Sequence, residues 1–213
     1  MRSESPILPL FWIAATILAS HSRAEDPPKP TATEPAVETG LMLVSTTSSP
    51  GVYAPVEGAK ETVLAPAYVS KYGIRVFSKA EWTERRAVWE DFLASSTKEA
   101  DRIVDTLEPD FKRDARGVID YALVENPSPW LSSVLLSKRF LPRFEREFGK
   151  RLHVIVVDRH RLYVFPADGS KLEGYGEALI DIYQDETLCH YPVSLEVFLV
   201  DETGFRAIGS IEQ

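Results

Sequence analysis

The spacing of apolar residues changes along this chain, and the change divides a helical region from a strand-forming one. From Ser78 to about residue 148, after a short β-prone run at Gly73–Phe77, apolar residues recur with a period near 3.6, as on one face of a helix. From Leu152 onward the period is 2, and β-branched and aromatic residues dominate the apolar runs. Helices followed by strands are typical of an α+β domain.

Three helices are predicted in the first region, over residues 78–107, 111–124 and 130–148. Ser78 and Glu81 have the spacing of a capping box, in which each side chain bonds a free backbone N–H group at the start of a helix. Pro109 ends the first helix. In the third, Pro142 is expected to kink or divide the helix, and Gly149 is a plausible C-terminal cap.

Four strands are predicted in the second region, over residues 152–157, 162–165, 193–200 and 205–211, with a helix over 172–183. The turns Asp158–Arg161 and Asp201–Gly204 join the two pairs of strands as hairpins. The order of elements is therefore β-β-α-β-β. Its simplest packing is a four-stranded antiparallel sheet with the N-terminal helices packed on it.

A nearly unbroken apolar run, Ile7 to Ala19, indicates export. It is too short to cross a bilayer comfortably, and the small residues Ser22 and Ala24 follow it, as in a signal peptide. We therefore predict a signal peptide over residues 1–24, an exported (periplasmic or secreted) protein and no transmembrane span in the mature chain. An uncleaved membrane anchor is the alternative.

Residues 25–72 are predicted to form a disordered or extended linker, and residues 73–213 a single α+β domain. Pro, Thr, Glu and Ala dominate up to Gly40, and such a segment cannot bury enough apolar surface to fold. Residues 41–69 allow two interpretations, an extended path over the domain surface or more linker. The net charge of −8 disfavours nucleic-acid binding, which needs a basic surface.

Residues from about Trp82 to Ile211 resemble the YtpQ-like family of uncharacterised bacterial proteins. The similarity lies in the strand–turn–strand Val154–Phe165, in the helix Ser132–Phe148 before it, and in the closing hairpin around Asp201–Phe205 with Ile208-Gly209. The resemblance implies a similar fold for about two-thirds of the chain. It implies no activity, because the family has no established one.

No motif in the sequence predicts catalysis, a metal or a cofactor. His153, His160 and His190 lack the close ligand spacing of a zinc site. Cys189, the only cysteine, is adjacent to His190, but neighbours on a strand point to opposite faces, so we expect a buried or incidental cysteine instead. The chain also contains no G-x-S-x-G motif and no dinucleotide-binding fingerprint.

Charge is segregated in the C-terminal half. Between Lys138 and Arg161 eight basic residues face three acidic ones, whereas residues 172–213 hold nine acidic residues and one basic. The eight form a possible patch for an anionic partner: Lys138, Arg139, Arg143, Arg146, Lys150, Arg151, Arg159 and Arg161. The alternative is that the basic and acidic segments lie together and offset each other.

These observations predict a non-enzymatic interaction or binding module of the cell envelope. Its partner is unknown; an anionic envelope component, such as a membrane surface or an acidic polymer, and an acidic protein both fit the basic patch. The alternatives are an envelope hydrolase or other enzyme with an unrecognised site, and a protein that pairs through a sheet edge. A concave pocket with converging polar groups near a histidine would favour an enzyme.

Overall fold

The structure, a computed structural model, describes residues 38–168 and 171–211 of the chain. These residues belong to one compact unit. The predicted signal peptide, residues 1–24, and the first part of the predicted linker, residues 25–37, lie outside the described residues. Within the described ranges, no helix is long and apolar enough to cross a membrane.

The first sheet is antiparallel and is built around one long strand. Its strands are β1 (Thr39–Ser45), β2 (Ala54–Pro55), β3 (Thr62–Ser70) and β4 (Gly73–Val76). β1 lies on one side of β3, while β2 and then β4 pair along the other. Pro66 lies inside β3 and has no N–H to donate. The Pro66 carbonyl accepts a hydrogen bond from the Phe77 N–H group on the side of β3 where β2 and β4 pair. The position of the missing N–H group faces the same side, in the gap between β2 and β4, so no strand pairing is lost.

The second sheet has six antiparallel strands in the order β10-β9-β7-β8-β6-β5. They are β5 (Asp110–Arg113), β6 (Ile119–Glu125), β7 (Leu152–Asp158), β8 (Arg161–Pro166), β9 (Glu196–Asp201) and β10 (Gly204–Ser210). The helices are α1 (Lys79–Glu84), α2 (Trp89–Asp105), α3 (Phe140–Phe148) and α4 (Gly176–Gln184), with 3₁₀ helices at Thr46–Ser48, Leu131–Leu136 and Leu172–Tyr175.

Both faces of the six-stranded sheet are covered, so most residues of its central strands are buried. Along β7, Val154 packs in a core shared with the four-stranded sheet, α2 and α3, and this side is called the inner face. The next residue, Ile155, packs in a second core with Leu179 of α4, and this side is called the α4 face. The alternation follows from the two-residue period of a strand.

The predicted fold class was wrong. The protein is sheet-rich, with sheets of four and six antiparallel strands and few helices, where N-terminal helices on one four-stranded sheet were expected. The clearest difference is residues 111–124, which form the β5–β6 hairpin. Asp114 accepts hydrogen bonds from the backbone of Arg116 and Val118, and Gly117 has a φ of 83°. This turn overrides an apolar spacing that also suits a helix.

The other two predicted helices are shorter than expected. The 78–107 helix is divided at residues 85–88, where Arg86 has a φ of 50°. This break lets Trp82 and Phe92 both pack against Phe77, with ring centroids 5.8 Å and 5.6 Å from it. The predicted 130–148 helix is divided into the 3₁₀ helix Leu131–Leu136 and α3. Pro142 lies in the first turn of α3, where a helix has no use for its missing N–H group. Division was one of the two outcomes predicted for this proline.

The folded unit begins upstream of Gly73. Leu41, Leu43 and Ala65 of the expected linker are 0–1 % exposed and belong to the inner-face core. In the sequence, a segment rich in Ser, Thr and Pro separates β1 from β3, so their apolar residues are far apart. The β1–β3 pairing brings these residues together. The four strands predicted for the C-terminal half are all present, with ends shifted by up to three residues.

Candidate functional site

A groove opens on the α4 face, between strand β10 and the segment that leads into α4. Its volume is about 430 Å³, within the range of roughly 300–1,000 Å³ typical of ligand pockets. The floor comes from β7 and β9. The residues that line it include His153, Leu172, Glu173, Val197, Ile208 and Ile211. The lining is therefore mainly apolar, with His153 in the floor and Glu173 on a wall.

The wall on the α4 side is held in place by Asp120 on β6. Asp120 is 8 % exposed, forms an ion pair with Lys171 and accepts a 2.9 Å hydrogen bond from the Tyr175 hydroxyl. The bond from Lys171 lowers the pKa of the Asp120 carboxyl, so the carboxylate is charged at neutral pH. These contacts join the 3₁₀ helix Leu172–Tyr175 to the sheet beside the groove.

Two glycines keep the groove open. The first is Gly209, which lines the groove without a side chain. The pairing of β10 with β9 shifts between Ala207 and Gly209, and this bulge leaves Ile208 about half exposed at the rim of the groove. Gly176, the first residue of α4, lines the groove, and a Cβ added there would lie 3.6 Å from the Ile211 Cγ2 atom. A side chain at position 176 would therefore occupy the space.

His153 supplies the polar group of the groove floor. It lies on β7 between Leu152 and Val154, and it projects to the α4 face. Burial and then the positive charge of Arg151 lower the pKa of its imidazole, against a smaller effect of Asp168. The ring is thus neutral at physiological pH, with one donor and one acceptor nitrogen. Within the described residues neither nitrogen has a hydrogen-bond partner.

Ser210, His153 and Glu173 are residue types of a hydrolytic triad, but the groove does not assemble one. Ser210 pairs with Glu196 across β10 and β9, and cross-strand partners share a face. Glu196 is on the inner-face side because its neighbour Val197 faces α4. The Ser210 side chain therefore points away from His153. No hydrogen bond joins these three residues in the described ranges.

His160 and His190 come together at a second, more polar pocket of about 210 Å³ beside the β7–β8 turn. Asp158 organises it: this buried carboxylate accepts from the backbone N–H groups of His160 (2.8 Å) and Tyr191 (2.6 Å). The two Nδ1 atoms donate to carbonyls of Asn126 (3.2 Å) and Glu186 (2.8 Å). Asp158 thus ties the turn to the loop that precedes β9, which is a structural role.

Cys189 is buried beneath this pocket. Its Sγ atom lies 3.5 Å from the Val157 carbonyl oxygen. Burial, followed by the negative charge of Asp158, raises the pKa of the thiol to about 11. The cysteine is therefore protonated at neutral pH and unsuited to nucleophilic attack. Across the described part of the chain, no group of three or more His, Cys, Asp or Glu side chains is placed to hold a metal ion.

The eight residues of the predicted basic patch fall into two groups. Six lie on or beside α3, from Lys138 to Arg151, while Arg159 and Arg161 lie at the far end of β7, a strand about 20 Å long. Arg139 forms ion pairs with Asp101 and Asp105 of α2. Arg161 forms one with Glu125 of β6.

Among the described residues no ion pair joins the patch to the acidic segment 172–211, but Lys138 lines a pocket together with Asp201 and Glu202. The alternative, in which the two segments offset each other's charge, therefore also stays a prediction. Lys138, Arg146, Lys150 and Arg151 are exposed on the α3 side. An anionic partner for this group stays a prediction.

Both edges of the six-stranded sheet are protected against pairing with another chain. At β10 the bulge interrupts the edge, and the Ala207 N–H donates to the Glu57 carbonyl at 2.8 Å. At the other edge β5 has only four residues, and Asp110, Lys112 and Arg113 are exposed. Short, charged and bulged edges resist strand addition.

Sequence reasoning singled out His153 but missed its groove. The sequence placed Val197 and Ile211 in strands but did not say which face of the sheet they occupy, and it counted Glu173 only among the nine acidic residues of segment 172–213. One signal was present: a glycine inside a strand pattern, here Gly209, often marks a bulge.

Comparisons with protein-family models, with curated proteins and with solved structures gave no match. The resemblance to the YtpQ-like family therefore stays a prediction.

Proposed function

We propose that the protein is an exported, non-enzymatic binding module that holds a small amphipathic molecule in the His153 groove. One observation carries the proposal: a mainly apolar groove of about 430 Å³ contains a neutral histidine without a hydrogen-bond partner in the described residues. Export rests on the apolar run Ile7 to Ala19 in the sequence.

The lining restricts the chemistry of the ligand. Leu172, Val197 and Ile211 favour an apolar body, which gains about 25 cal/mol per Å² of apolar surface removed from water. His153 then orients one hydroxyl, amide or carboxylate group of the ligand through a directional hydrogen bond. A fully polar ligand would gain no free energy from the apolar walls, because it has no apolar surface to remove from water.

For a hydrolase, the alternative function, the described residues of this groove offer no nucleophile. Ser210 faces away from His153 across the sheet, and Cys189 has a pKa of about 11 beneath a different pocket. Binding without chemistry is therefore the function that the groove supports best.

The test uses the full chain and the amphipathic dye 1-anilinonaphthalene-8-sulfonate, whose fluorescence rises in apolar sites. We expect saturable binding at one site. Gly176→Leu fills the groove without backbone strain, since this residue has helical φ, and should weaken binding by about tenfold or more. His153→Phe should also weaken it while keeping the floor apolar.

Gly174→Leu is the matched control. Gly174 belongs to the same segment, does not line the groove, and has no atom within 4 Å of an added Cβ. This variant should bind the dye as the wild type does. Equal binding by the Gly176→Leu variant would refute the proposed site. Covalent labelling of Ser210 by a fluorophosphonate would instead favour the hydrolase.

A further inference from the structure

A polar pocket of about 210 Å³ lies at the opposite end of β7 from the His153 groove. An extended stretch of five residues, about 17 Å long, separates His153 from Asp158 at this pocket. The β7–β8 turn and the loop that precedes β9 surround the pocket, which is called the Tyr191 pocket below. Leu188 and Tyr191 of its lining are 47 % and 49 % exposed, so the pocket is open to solvent.

Tyr191 is a large aromatic side chain that the fold leaves half exposed and yet holds in place. The central carbon of the Arg159 guanidinium lies 4.6 Å from the centroid of the Tyr191 ring. The His160 and His190 rings meet the tyrosine edge-on, with centroids at 5.7 Å and 6.5 Å. A fixed, exposed ring receives the C–H groups of a ligand on its electron-rich π surface at little cost in side-chain entropy.

The two histidines of this pocket have a defined tautomer when they are neutral. The Nδ1 atom of His160 bonds the Asn126 carbonyl, and that of His190 bonds the Glu186 carbonyl. A carbonyl oxygen only accepts, so Nδ1 carries the hydrogen and Nε2 is the acceptor of each neutral ring. Both side chains line the pocket. The pocket therefore combines two oriented imidazoles with an exposed aromatic ring.

The charged side chains of the pocket have partners within the chain. Arg161 forms an ion pair with Glu125 at 2.6 Å, and its guanidinium also donates to the Leu188 carbonyl at 3.1 Å. The Asp158 carboxylate accepts from two backbone N–H groups. An anionic ligand would compete with Glu125 for Arg161, and a cationic ligand would compete with Arg161 for Glu125. An uncharged ligand avoids both costs.

We propose that the Tyr191 pocket binds a small uncharged sugar, one ring in size. The C–H groups of a sugar ring pack on Tyr191 and Leu188, as water is removed from both surfaces. Sugar hydroxyls both donate and accept, so they match the histidine acceptors and the Arg161 guanidinium. The volume is below the roughly 300–1,000 Å³ of pockets for drug-sized ligands, which favours a single ring. Binding at this pocket is independent of the His153 groove.

The test follows titration of the full chain by saturation-transfer NMR, with the methyl glycosides of glucose, galactose, mannose and N-acetylglucosamine as probes. We expect at least one of them to bind saturably with a Kd of about 1 mM, as suits so small a ligand. Tyr191→Ala should weaken this binding by about tenfold or more, because the sugar loses its packing surface. Tyr191→Phe keeps the ring and should bind as the wild type does.

Tyr53→Ala is the matched control, since Tyr53 is 57 % exposed and does not line the pocket. It should leave the affinity unchanged. In the wild type, the sugar should shift the amide resonances of His190 and Tyr191 but not that of Ile208 in the His153 groove. Three results would overturn the proposal: no saturable binding of the four glycosides at about 50 mM, equal binding by Tyr191→Ala, or tighter binding of the anionic sugar glucuronate.

Discussion

At the scale of single residues, burial decides which of the reactive side chains can react. His153 is half-buried and neutral beside an open groove, so its nitrogens are accessible to a ligand. Cys189 is buried, as the sequence predicted, and its thiol lies against a backbone carbonyl. Adjacency to His190 in the sequence therefore has no catalytic meaning, because Cys189 is buried whereas His190 is exposed.

The thiol of Cys189 is expected to be inert in the folded protein. With a pKa of about 11, about one molecule in a thousand carries the reactive thiolate at pH 8. Burial restricts access further. Labelling with iodoacetamide at pH 8, followed by mass spectrometry, should be at least about 100-fold slower in the native state than in urea. Rapid stoichiometric labelling of the native protein would contradict the buried position.

At the scale of elements, buried serines complete the free edge of β1. The N–H group of Leu41 donates to the Ser96 hydroxyl of α2 at 2.7 Å. The N–H group of Leu43 donates to the Ser132 hydroxyl of the 3₁₀ helix at 3.1 Å. Both serines are 1–3 % exposed. They cover an edge that would otherwise bury unpaired backbone donors.

Ser96→Ala should therefore destabilise the protein by about 1–3 kcal/mol, because it leaves the buried Leu41 N–H group without an acceptor. Ser95→Ala is the matched control, since Ser95 is exposed and bonds only the Phe92 carbonyl of its own helix. That change should alter stability by less than about 0.5 kcal/mol. Urea denaturation of both variants measures the difference. Equal effects would show that the serine contact does not stabilise β1.

At the scale of the whole molecule, two sheets share one core. Leu41 and Leu43 of β1 belong to the same apolar cluster as Val154 and Phe198 of the six-stranded sheet. Without residues 38–72 the inner face of the large sheet would lose this cover. Strands β1 and β3 are therefore as much part of the domain as the C-terminal strands.

A fragment of residues 73–213, the domain expected from sequence, should fail to fold cooperatively. It would expose the apolar inner face, including the buried side chains of α2 and α3. The full chain should show a single sharp transition by circular dichroism and dispersed amide resonances. The fragment should show a broad transition and bind hydrophobic dye nonspecifically. A cooperative fragment of similar stability would mean that the first sheet is an appendage.

Much of the local structure was predictable because neighbours in sequence decide it. The capping box at Ser78 and Glu81 and the cap at Gly149 are confirmed, and so are the C-terminal hairpins. Residues 111–124 were misassigned because Phe111, Val118 and Ala122 satisfy the helical period. The turn at Asp114–Val118 favours a hairpin, and the pairing of β6 with the distant β8 stabilises it. The His153 groove was missed because it combines four segments that are far apart in the chain.

Short-range signals were enough to predict the strand alternation from Leu152 onward and the turns between those strands. Three features follow from no local pattern: residues 39–70 form a sheet, Glu196 is buried with one oxygen unpaired among the described residues, and a bulge opens a groove above His153. The physical reason is the same in each case. Burial and strand pairing depend on partners tens of residues away, and a period along one segment contains no information about them.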